Sequence, residues 1–305
     1  MLIINFIIFF FLIILFIIII KKLKKYILKL YYYSFYYNIS KKKYNKNYTF
    51  RDTFKIALII PTTSRNQNYI NIEETTFLKI LIPSFLKTYD KNSKYIYTFY
   101  LGYDDDDIFY IKNKDKIIEY INNLNIKRIN IKFFSIKQKS NNVCYIWNLL
   151  FNYAINDKND YIYQLGDDIE FIDSNWEKYF INQLLNNDNI GVVGPTDINN
   201  RCGILTQSFV HNTHYKIFEF YFPYEFKNWG IDDWIDNVYK KRWFDLFKKN
   251  KNRAYKFIDI KVNNKGGKER YIIDYNNGKI YYSLIKKGKK TLNNYLKKNK
   301  ITKDI

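Results

Sequence analysis

Residues 143–170, VCYIWNLLFNYAINDKNDYIYQLGDDIE, carry the pattern that decides the fold. Apolar residues recur at three- and four-residue spacing over residues 143–156, which predicts a helix. Residues 161–166 form a short run rich in aromatic and branched apolar side chains, which predicts a buried strand. Asp167 and Asp168 follow that strand directly. A helix, a buried strand and a polar strand end in this order indicate one unit of an α/β sheet.

The same alternation extends over the middle of the chain. Strands are predicted at residues 55–61, 95–102, 129–136, 161–166 and 190–195. Helices are predicted between them, at residues 73–89, 107–124, 143–156 and 174–187. Near-continuous apolar strands that alternate with helices are typical of a mostly parallel sheet with helices on both faces. Ligands of such sheets bind beyond the carboxyl ends of the strands, so the site residues are expected in the segments that follow strands.

The composition excludes a disordered chain, because 47% of the 305 residues are hydrophobic and 20% are aromatic. The formal net charge is +21 and is distributed unevenly: residues 1–51 carry +10, residues 52–239 carry −5 and residues 240–305 carry +16. A nucleic-acid-binding surface needs basic residues across a folded face, whereas these lie in two flanks. We therefore predict no nucleic-acid partner. An A+T-biased genome is a second explanation of the lysine excess.

The first twenty residues, MLIINFIIFFFLIILFIIII, are apolar except for Asn5. A helix rising about 1.5 Å per residue over this stretch matches a hydrocarbon core of about 30 Å, so we predict a single-pass anchor over residues 2–20. A cleaved signal peptide is the alternative, although its apolar region is usually shorter and follows a basic start. Lysines directly after the helix favour a cytosolic domain, and glycosylation triplets at Asn38 and Asn47 favour a lumenal one. Both orientations stay open.

Four segments are therefore expected along the chain. They are an anchor over residues 1–20, a basic and aromatic stem over 21–51, an α/β domain over 52–245 and a basic extension over 246–305. The extension contains YIIDYNNGKIYYSLI, residues 271–285, in which Asn277 and Gly278 separate two apolar runs. An Asn-Gly pair in that setting predicts a β-hairpin. The lysine runs that follow are expected either near anionic headgroups or without a specific partner.

The acidic residues after the fourth predicted strand suit a metal ion. Asp167, Asp168 and Glu170 lie within four residues of one another. Mg²⁺ and Mn²⁺ prefer oxygen ligands and usually take one or two carboxylates together with phosphate oxygens and water. We therefore predict a divalent cation, Mn²⁺ or Mg²⁺, at these three residues. The alternative is a turn shaped by the aspartates, with Asp173 or Ser174 capping the next helix.

A second acidic pair, Asp232 and Asp233, lies in the segment NWGIDDWI at residues 228–235. Gly230 before the pair lets the backbone approach a ligand closely, and a helix amino terminus favours the ionised form of a carboxyl group. An ionised carboxylate at this position can accept a proton from a hydroxyl. An ordinary helix start capped by Asp232 is the alternative.

The chain has two histidines, His211 and His214, three residues apart. A neutral imidazole binds divalent metals, so His214 is a candidate further ligand of the cation. A histidine packed in the core is the alternative interpretation.

These features together resemble glycosyltransferases of the GT-A fold, family 2-like, over roughly residues 55–243. The resemblance depends on the PTTSRN strand end at residues 61–66, the DxD-like acidic site, and the FP…NWGxDDW segment. Residues 222–233 are similar to the FP…WGGEDDD stretch of the metal-dependent β-1,4-galactosyltransferases, an inverting group. The resemblance therefore implies a Rossmann-like, mostly parallel sheet and an inverting sugar transfer.

The resemblance is incomplete at three positions. Gly166 stands where the first acid of DxD is found, and Ile231 replaces the second glycine of the motif. The family also has a metal-binding histidine after its base, and no histidine follows Asp233. The ribose and metal contacts made from these positions are therefore not carried over.

The resemblance implies a role for each matching residue. Asp233 takes the place of the catalytic base, and Asp232 that of an acid that binds the acceptor. Asp168 matches the metal-binding aspartate of DxD, and Asp167 its middle residue. Trp229 and Gly230 join Asp232 in the acceptor site. The nucleotide sugar is expected at Pro61, Thr62, Arg65, Asp104 and Asp167.

The implied reaction is displacement at the anomeric carbon of a nucleotide sugar, with a UDP-sugar as donor and a hydroxyl of a glycan, protein or lipid as acceptor. Two other classes stay open. A nucleotidyltransferase can use a related sheet and acidic site, although PTTSRN has no glycine for a phosphate loop. A membrane-tethered basic binding protein would act through its charged tails and would not need the aspartates.

Overall fold

The computed structural model describes residues 16, 19, 20, 22, 23, 53–92, 95–137, 142–200, 203–241, 251–266, 270, 272, 274 and 278–301. Most of the predicted anchor and all but two residues of the predicted stem lie outside these residues. Within the described residues, no helix has both the length and the apolar character of a membrane span. Lys46–Ile305 forms one compact unit.

The eight strands of the described residues form one sheet. They are β1 (Lys55–Pro61), β2 (Ile96–Asp104), β3 (Ile129–Ile136), β4 (Tyr161–Gln164), β5 (Ile169–Phe171), β6 (Val192–Asp197), β7 (Ser208–His211) and β8 (Ala254–Asn264). Their order is β3-β2-β1-β4-β7-β6-β8-β5. Among the pairings of the described residues, four are parallel and three are antiparallel. The predicted α/β sheet is therefore present as a mixed sheet, with parallel strands β3, β2, β1 and β4 at one side.

Within the described ranges, seven α-helices connect or follow these strands. They are α1 (Ile82–Thr88), α2 (Ile108–Asn123), α3 (Val143–Asn156), α4 (Trp176–Leu185), α5 (Thr213–Phe218), α6 (Ile231–Tyr239) and α7 (Gly278–Lys298). A π-helical stretch, Phe77–Leu81, leads into α1. Local side chains set two of the helix starts, since Asp107 caps α2 by accepting from the backbone N–H of Tyr110 and Asn142 caps α3 by accepting from that of Tyr145.

Helices cover both faces of the sheet. On one face, Phe85 of α1 packs on Phe99 with ring centroids 5.0 Å apart, and Trp176 of α4 packs on Tyr163 at 5.2 Å. On the other face, α3, α5, α6 and α7 share a buried cluster with β1 through Ala57. Neighbouring residues of a strand point to opposite faces, so each strand of the parallel half contributes to both cores.

Residues 278–298 form helix α7, and the β-hairpin predicted at residues 271–285 is wrong for its second strand. Asn277, the first residue of the predicted turn, lies outside the described residues. Gly278, the second, begins the helix. Helix α7 buries Leu284, Ile285 and Leu292 in the cluster that also contains α6. These three side chains lie on one face of the helix, because they are spaced by one and seven residues. Their burial outweighs the local preference of the Asn-Gly pair for a turn.

The strand order places a crevice at one edge of the sheet. Strand β1 lies between β2 and β4 and runs parallel to both. Strands β2 and β3 are added on one side of β1, and β4 is added on the other, so the strand order reverses at β1. The carboxyl ends of β1, β2 and β4 meet at this edge, and β7 begins there because it is antiparallel to β4. Crevices of this kind are where α/β sheets bind ligands.

Asn148, fully buried in α3, ties the segment before α6 to the sheet. Its Nδ2 donates to the carbonyl of Phe222 at 2.8 Å, and its Oδ1 accepts from the backbone N–H groups of Tyr221 and Phe222, each at 2.9 Å. These bonds satisfy three backbone groups of a non-repetitive segment. Asn148 therefore fixes the course of the chain that leads to Asp232 and Asp233.

We expect Asn148→Leu to lower the free energy of unfolding by about 3 kcal/mol or more, because each buried backbone group left unpaired costs about 1–3 kcal/mol. Urea denaturation followed by circular dichroism measures this loss. Asn152→Leu is the matched control one turn further along α3, since its Oδ1 is buried without a hydrogen-bond partner in the described part of the chain. Equal losses in the two variants would contradict the anchoring role of Asn148.

Candidate functional site

A cleft of about 860 Å³ lies at the carboxyl edge of the sheet. Its walls come from the segments that follow β1, β2 and β4, from the first turns of α3 and α6, and from the chain before β7 and after β8. The charged residues that line it, within the described part of the chain, are Arg65, Asp104, Asp168, Asp232, Asp233 and Arg270. The structure thus brings the two predicted acidic sites to one cavity.

Asp167 and Asp168 share one guanidinium at the inner wall of the cleft. Arg270 donates from Nη1 to Oδ1 of Asp167 at 2.6 Å and from Nη2 to Oδ2 of Asp168 at 2.9 Å. Asp167 is fully buried, and its Oδ2 accepts from the hydroxyl of Thr62 at 2.7 Å. Asp168 faces the cleft. This arrangement joins the end of β4 to the chain segment after β8.

Burial and the charge of Asp167 raise the pKa of Asp168, and Arg270 opposes this shift. Burial lowers the pKa of Arg270, but Asp167 and Asp168 outweigh burial and raise it above the usual range. The guanidinium therefore stays charged and compensates two carboxylates that have little access to water.

Arg270 is a site residue that sequence reasoning missed. It lies in the lysine-rich run KGGKERY at residues 265–271, where one more basic residue carries no distinguishing pattern. The pairing joins positions about a hundred residues apart in sequence, so no local spacing predicts it.

A second polar cluster lies at the ends of β1 and β2. Arg65 donates to Asp104 and, at 2.8 Å, to Asp106. Burial raises the pKa of Asp104, whereas Arg65 lowers it. Pro61, Thr62, Arg65 and Asp104, all predicted to contact the nucleotide sugar, line the cleft.

Asp107 has a different role from Asp104, although both belong to the same run of four aspartates. Its side chain accepts from the backbone N–H and the hydroxyl of Ser64, each at 2.7 Å, and caps α2. These hydrogen bonds therefore fix the loop after β1 to the amino terminus of α2. Of the four aspartates, Asp104 is the one in the described lining of the cleft.

The opposite wall is the first turn of α6. Gly230 precedes the helix with a φ of 85°, in the left-handed region that favours glycine. Trp229 is 51% exposed and lines the cleft. Asp232 and Asp233 follow Gly230 and line the cleft as well. Trp234, by contrast, is buried and donates from Nε1 to the carbonyl of Leu284 at 3.2 Å.

The two aspartates of α6 differ in environment. Burial raises the pKa of Asp233, which is half-buried. Burial raises the pKa of Asp232 well above its usual value, and the charges of Asp233 and Asp236 add to the shift. The ionised form is therefore opposed more strongly at Asp232 than at Asp233.

His214, predicted as a metal ligand, lies in the core. Its Nδ1 is hydrogen-bonded to the hydroxyl of Tyr239 at 2.9 Å and its Nε2 to the carbonyl of Tyr221 at 3.0 Å. The residue is 1% exposed and is not among the described residues that line the cleft. Both ring nitrogens are engaged within the protein, so His214 packs α5 against α6 and does not face a cation.

Glu170 is also separated from the predicted cation site. It lies on β5 and accepts from Lys265 at 2.8 Å and from Asn263 at 3.1 Å. The hydrogen bond from Lys265 lowers the pKa of Glu170. Glu170 is not in the described lining of the cleft.

The carboxylates of Asp167 and Asp168 suit a cation, because they already bind the positively charged side chain of Arg270. The Arg270 guanidinium bridges an oxygen of Asp167 and an oxygen of Asp168, and such oxygens are also the ligands that Mg²⁺ and Mn²⁺ prefer. Among the described residues, no group of three or more His, Cys, Asp and Glu side chains is arranged to hold a metal ion. As far as the described residues go, further ligands at this position would therefore come from a bound phosphate group or from water.

No protein-family model matches this chain, and no curated protein matches it. The structure is similar to that of S. aureus TarS 1–349 in complex with UDP-GlcNAc, with 14% identity and a TM-score of 0.48, over 75% of this chain and 64% of that chain. It is also similar to S. aureus TarS 1–349 in complex with UDP, with 13% identity and a TM-score of 0.47, over 77% and 65% of the two chains. This chain therefore spans less than two thirds of these structures.

We expect the acid sensitivity of folding to depend on His214. Burial lowers the pKa of His214 to about 4, so the folded protein binds fewer protons than the unfolded chain between about pH 6.5 and pH 4. Stability should fall as the pH decreases through this window, and His214→Gln should remove up to about 3 kcal/mol of that loss. Urea denaturation at pH 7, 6, 5 and 4 measures it.

The same variant tests the placement of His214 outside the cleft. The affinity for Mn²⁺ at pH 7 should be the same in His214→Gln as in the wild type. His211 is unchanged in both proteins, and its pKa is also lowered to about 4 by burial, so it cancels in the comparison. A loss of Mn²⁺ affinity with an unaltered acid slope would restore His214 as a metal ligand.

Proposed function

We propose that this protein is a GT-A-like glycosyltransferase that moves a sugar from a UDP-sugar to an acceptor hydroxyl with inversion at the anomeric carbon. One observation carries the proposal: Asp168, with its paired Arg270, and Asp233 line one cleft at the carboxyl edge of the sheet. The first group suits the diphosphate end of a donor. The second suits proton removal from an incoming alcohol.

The donor is assigned to the side of the cleft formed by β1, β2 and β4. Arg65 and Asp104, which are paired with each other, place guanidinium and carboxylate groups at this side for a nucleoside. Thr62, whose hydroxyl donates to Asp167, lines the same side. Arg270 contributes a positive charge for the diphosphate, and guanidinium groups pair well with phosphate oxygens. A divalent cation, Mn²⁺ or Mg²⁺, held by Asp168 and Asp167 would add charge stabilisation for the departing diphosphate.

The acceptor is assigned to the side formed by α6. The exposed indole of Trp229 offers a flat apolar surface for one face of a sugar ring. Asp232, with its raised pKa, can donate a hydrogen bond to an acceptor oxygen. Gly230 permits the left-handed turn, with a φ of 85°, that begins α6 between Trp229 and Asp232.

The chemistry is a single displacement. Asp233 accepts the proton of the acceptor hydroxyl, and the hydroxyl oxygen forms a bond to the anomeric carbon. The bond between that carbon and the phosphate oxygen breaks, and the nucleoside diphosphate leaves with the electron pair. Attack from the side opposite the leaving group inverts the configuration. The raised pKa of Asp233 makes it a better base near neutral pH than an exposed aspartate.

The acceptor is a glycan, protein or lipid hydroxyl in this proposal, and the enzyme is anchored through residues 2–20. Helix α7 presents lysines on its exposed face, among them Lys286, Lys287 and Lys290. Their contact with anionic headgroups remains a prediction.

We expect the full-length protein, purified in detergent with Mn²⁺, to release UDP from at least one member of a panel of UDP-sugars. The products should be UDP and a transferred or hydrolysed sugar, without pyrophosphate. Coupled UDP detection and a parallel pyrophosphate assay measure the two outcomes. Pyrophosphate release would favour a nucleotidyltransferase, and the absence of turnover of every donor by folded protein would rule out the proposal.

We expect Asp233→Asn to lower kcat by about 10²- to 10⁴-fold, the usual contribution of a general base, with little change in UDP affinity. In the wild type, log kcat should rise with pH until Asp233 is deprotonated, and the variant should lack this rise. Asp115→Asn, an exposed carboxylate on α2, is the matched control and should keep wild-type activity. A small, pH-independent effect of Asp233→Asn would remove the residue from the reaction.

A further inference from the structure

Arg270 occupies the position at which the sequence predicts a divalent cation. It donates to one oxygen of Asp167 and one of Asp168, and its side chain is 19% exposed while that of Asp167 is fully buried. Buried charges require paired partners, because water is not available to solvate them. In the structure, the protein itself provides the positive charge that two adjacent carboxylates need.

Charge balance limits what can join this group. Asp167 and Asp168 carry two negative charges and Arg270 one positive charge. A divalent cation added alone would turn this buried group net positive. If it displaced Arg270, it would leave a largely buried guanidinium without its partners, which is strongly unfavourable.

A nucleoside diphosphate changes this balance. It adds at least two negative charges, and its phosphate oxygens can pair with a guanidinium in the same two-pronged manner as a carboxylate. With the diphosphate bound, Arg270 and a divalent cation can both have anionic partners. The net charge of the group then returns to that of the ligand-free protein.

We propose that Arg270 is the resident counter-cation of the Asp167–Asp168 pair and makes binding of a divalent cation dependent on the diphosphate of the donor. This inference rests on the proposed function, because it requires a nucleoside diphosphate in the cleft. Arg270 is in this sense a positioning residue for the two carboxylates. By linkage, the cation must then strengthen diphosphate binding by the same factor.

The wild-type protein provides the first test. Mn²⁺ binding to the full chain is measured by electron paramagnetic resonance of free Mn²⁺, with and without saturating UDP, after subtraction of the Mn²⁺ that UDP binds in protein-free solution. We expect about 10-fold tighter Mn²⁺ binding with UDP, within the range usual for coupled sites, and an equal gain in UDP affinity with Mn²⁺ by calorimetry. Equal Mn²⁺ affinities with and without UDP would overturn the proposal, and this test requires no variant.

Arg270→Gln provides the second test. Without UDP, this variant should bind Mn²⁺ about 10-fold more tightly than the wild type, and UDP should add less to that affinity. Its melting temperature should be lowered and then restored by Mn²⁺. Arg270→Lys keeps the charge and should stay close to the wild type without UDP. Arg128→Gln is the matched control. Arg128 is an exposed residue directly before β3, and its Nη2 donates to the carbonyl of Lys91.

The outcomes separate this inference from the proposed function, because Mn²⁺ titration without nucleotide does not require sugar transfer. Tighter Mn²⁺ binding by Arg270→Gln in a protein that transfers no sugar supports the counter-cation role and counts against the transferase. Sugar transfer by the wild type, combined with unchanged Mn²⁺ affinity in Arg270→Gln, overturns the counter-cation role alone.

Discussion

Two adjacent carboxylates at the end of a buried strand need a positive charge beside them, and this constraint organises the site. Asp167 cannot be solvated, because it is fully buried. Its two oxygens are taken by the Thr62 hydroxyl and the Arg270 guanidinium. One acid thus joins the end of β1, the end of β4 and the chain after β8. The cleft exists where these three segments meet.

The other wall depends on a different kind of support. Asn148 in α3 satisfies backbone groups of Tyr221 and Phe222, and Trp234 packs α6 against α7. Helix α6 is therefore held by buried packing and backbone hydrogen bonds, not by charge. Among the described residues, Asp232 and Asp233 have no salt-bridge partner of the kind that Asp168 has in Arg270. Burial is the leading cause of their raised pKa values. A strongly paired carboxylate is a poor base, whereas one raised by burial is a better one.

Local patterns predicted the parts of the structure that depend on short stretches of chain. Strands β1 to β4 and β6 and the helices between them were predicted correctly in type, because each buries a near-continuous apolar run or one helical face. Strands β5 and β7 are three and four residues long, too short for a periodic signal. Helix α7 was mistaken for a strand because an Asn-Gly pair is a local preference, while the burial of Leu284 and Leu292 is a tertiary one.

By itself, the sequence determined the α/β class, the edge of the sheet where chemistry is expected and the two acidic segments that face each other there. These follow from periodicity and from the rule that parallel strands end at one edge. Tertiary structure alone decided which acids reach the cleft, since Asp168 lines it while Glu170 pairs with Lys265. It also placed His214 in the core and Arg270 at the acids. Each of these outcomes depends on partners distant in sequence, and the energy of a buried charge or imidazole is set by the groups that surround it in space.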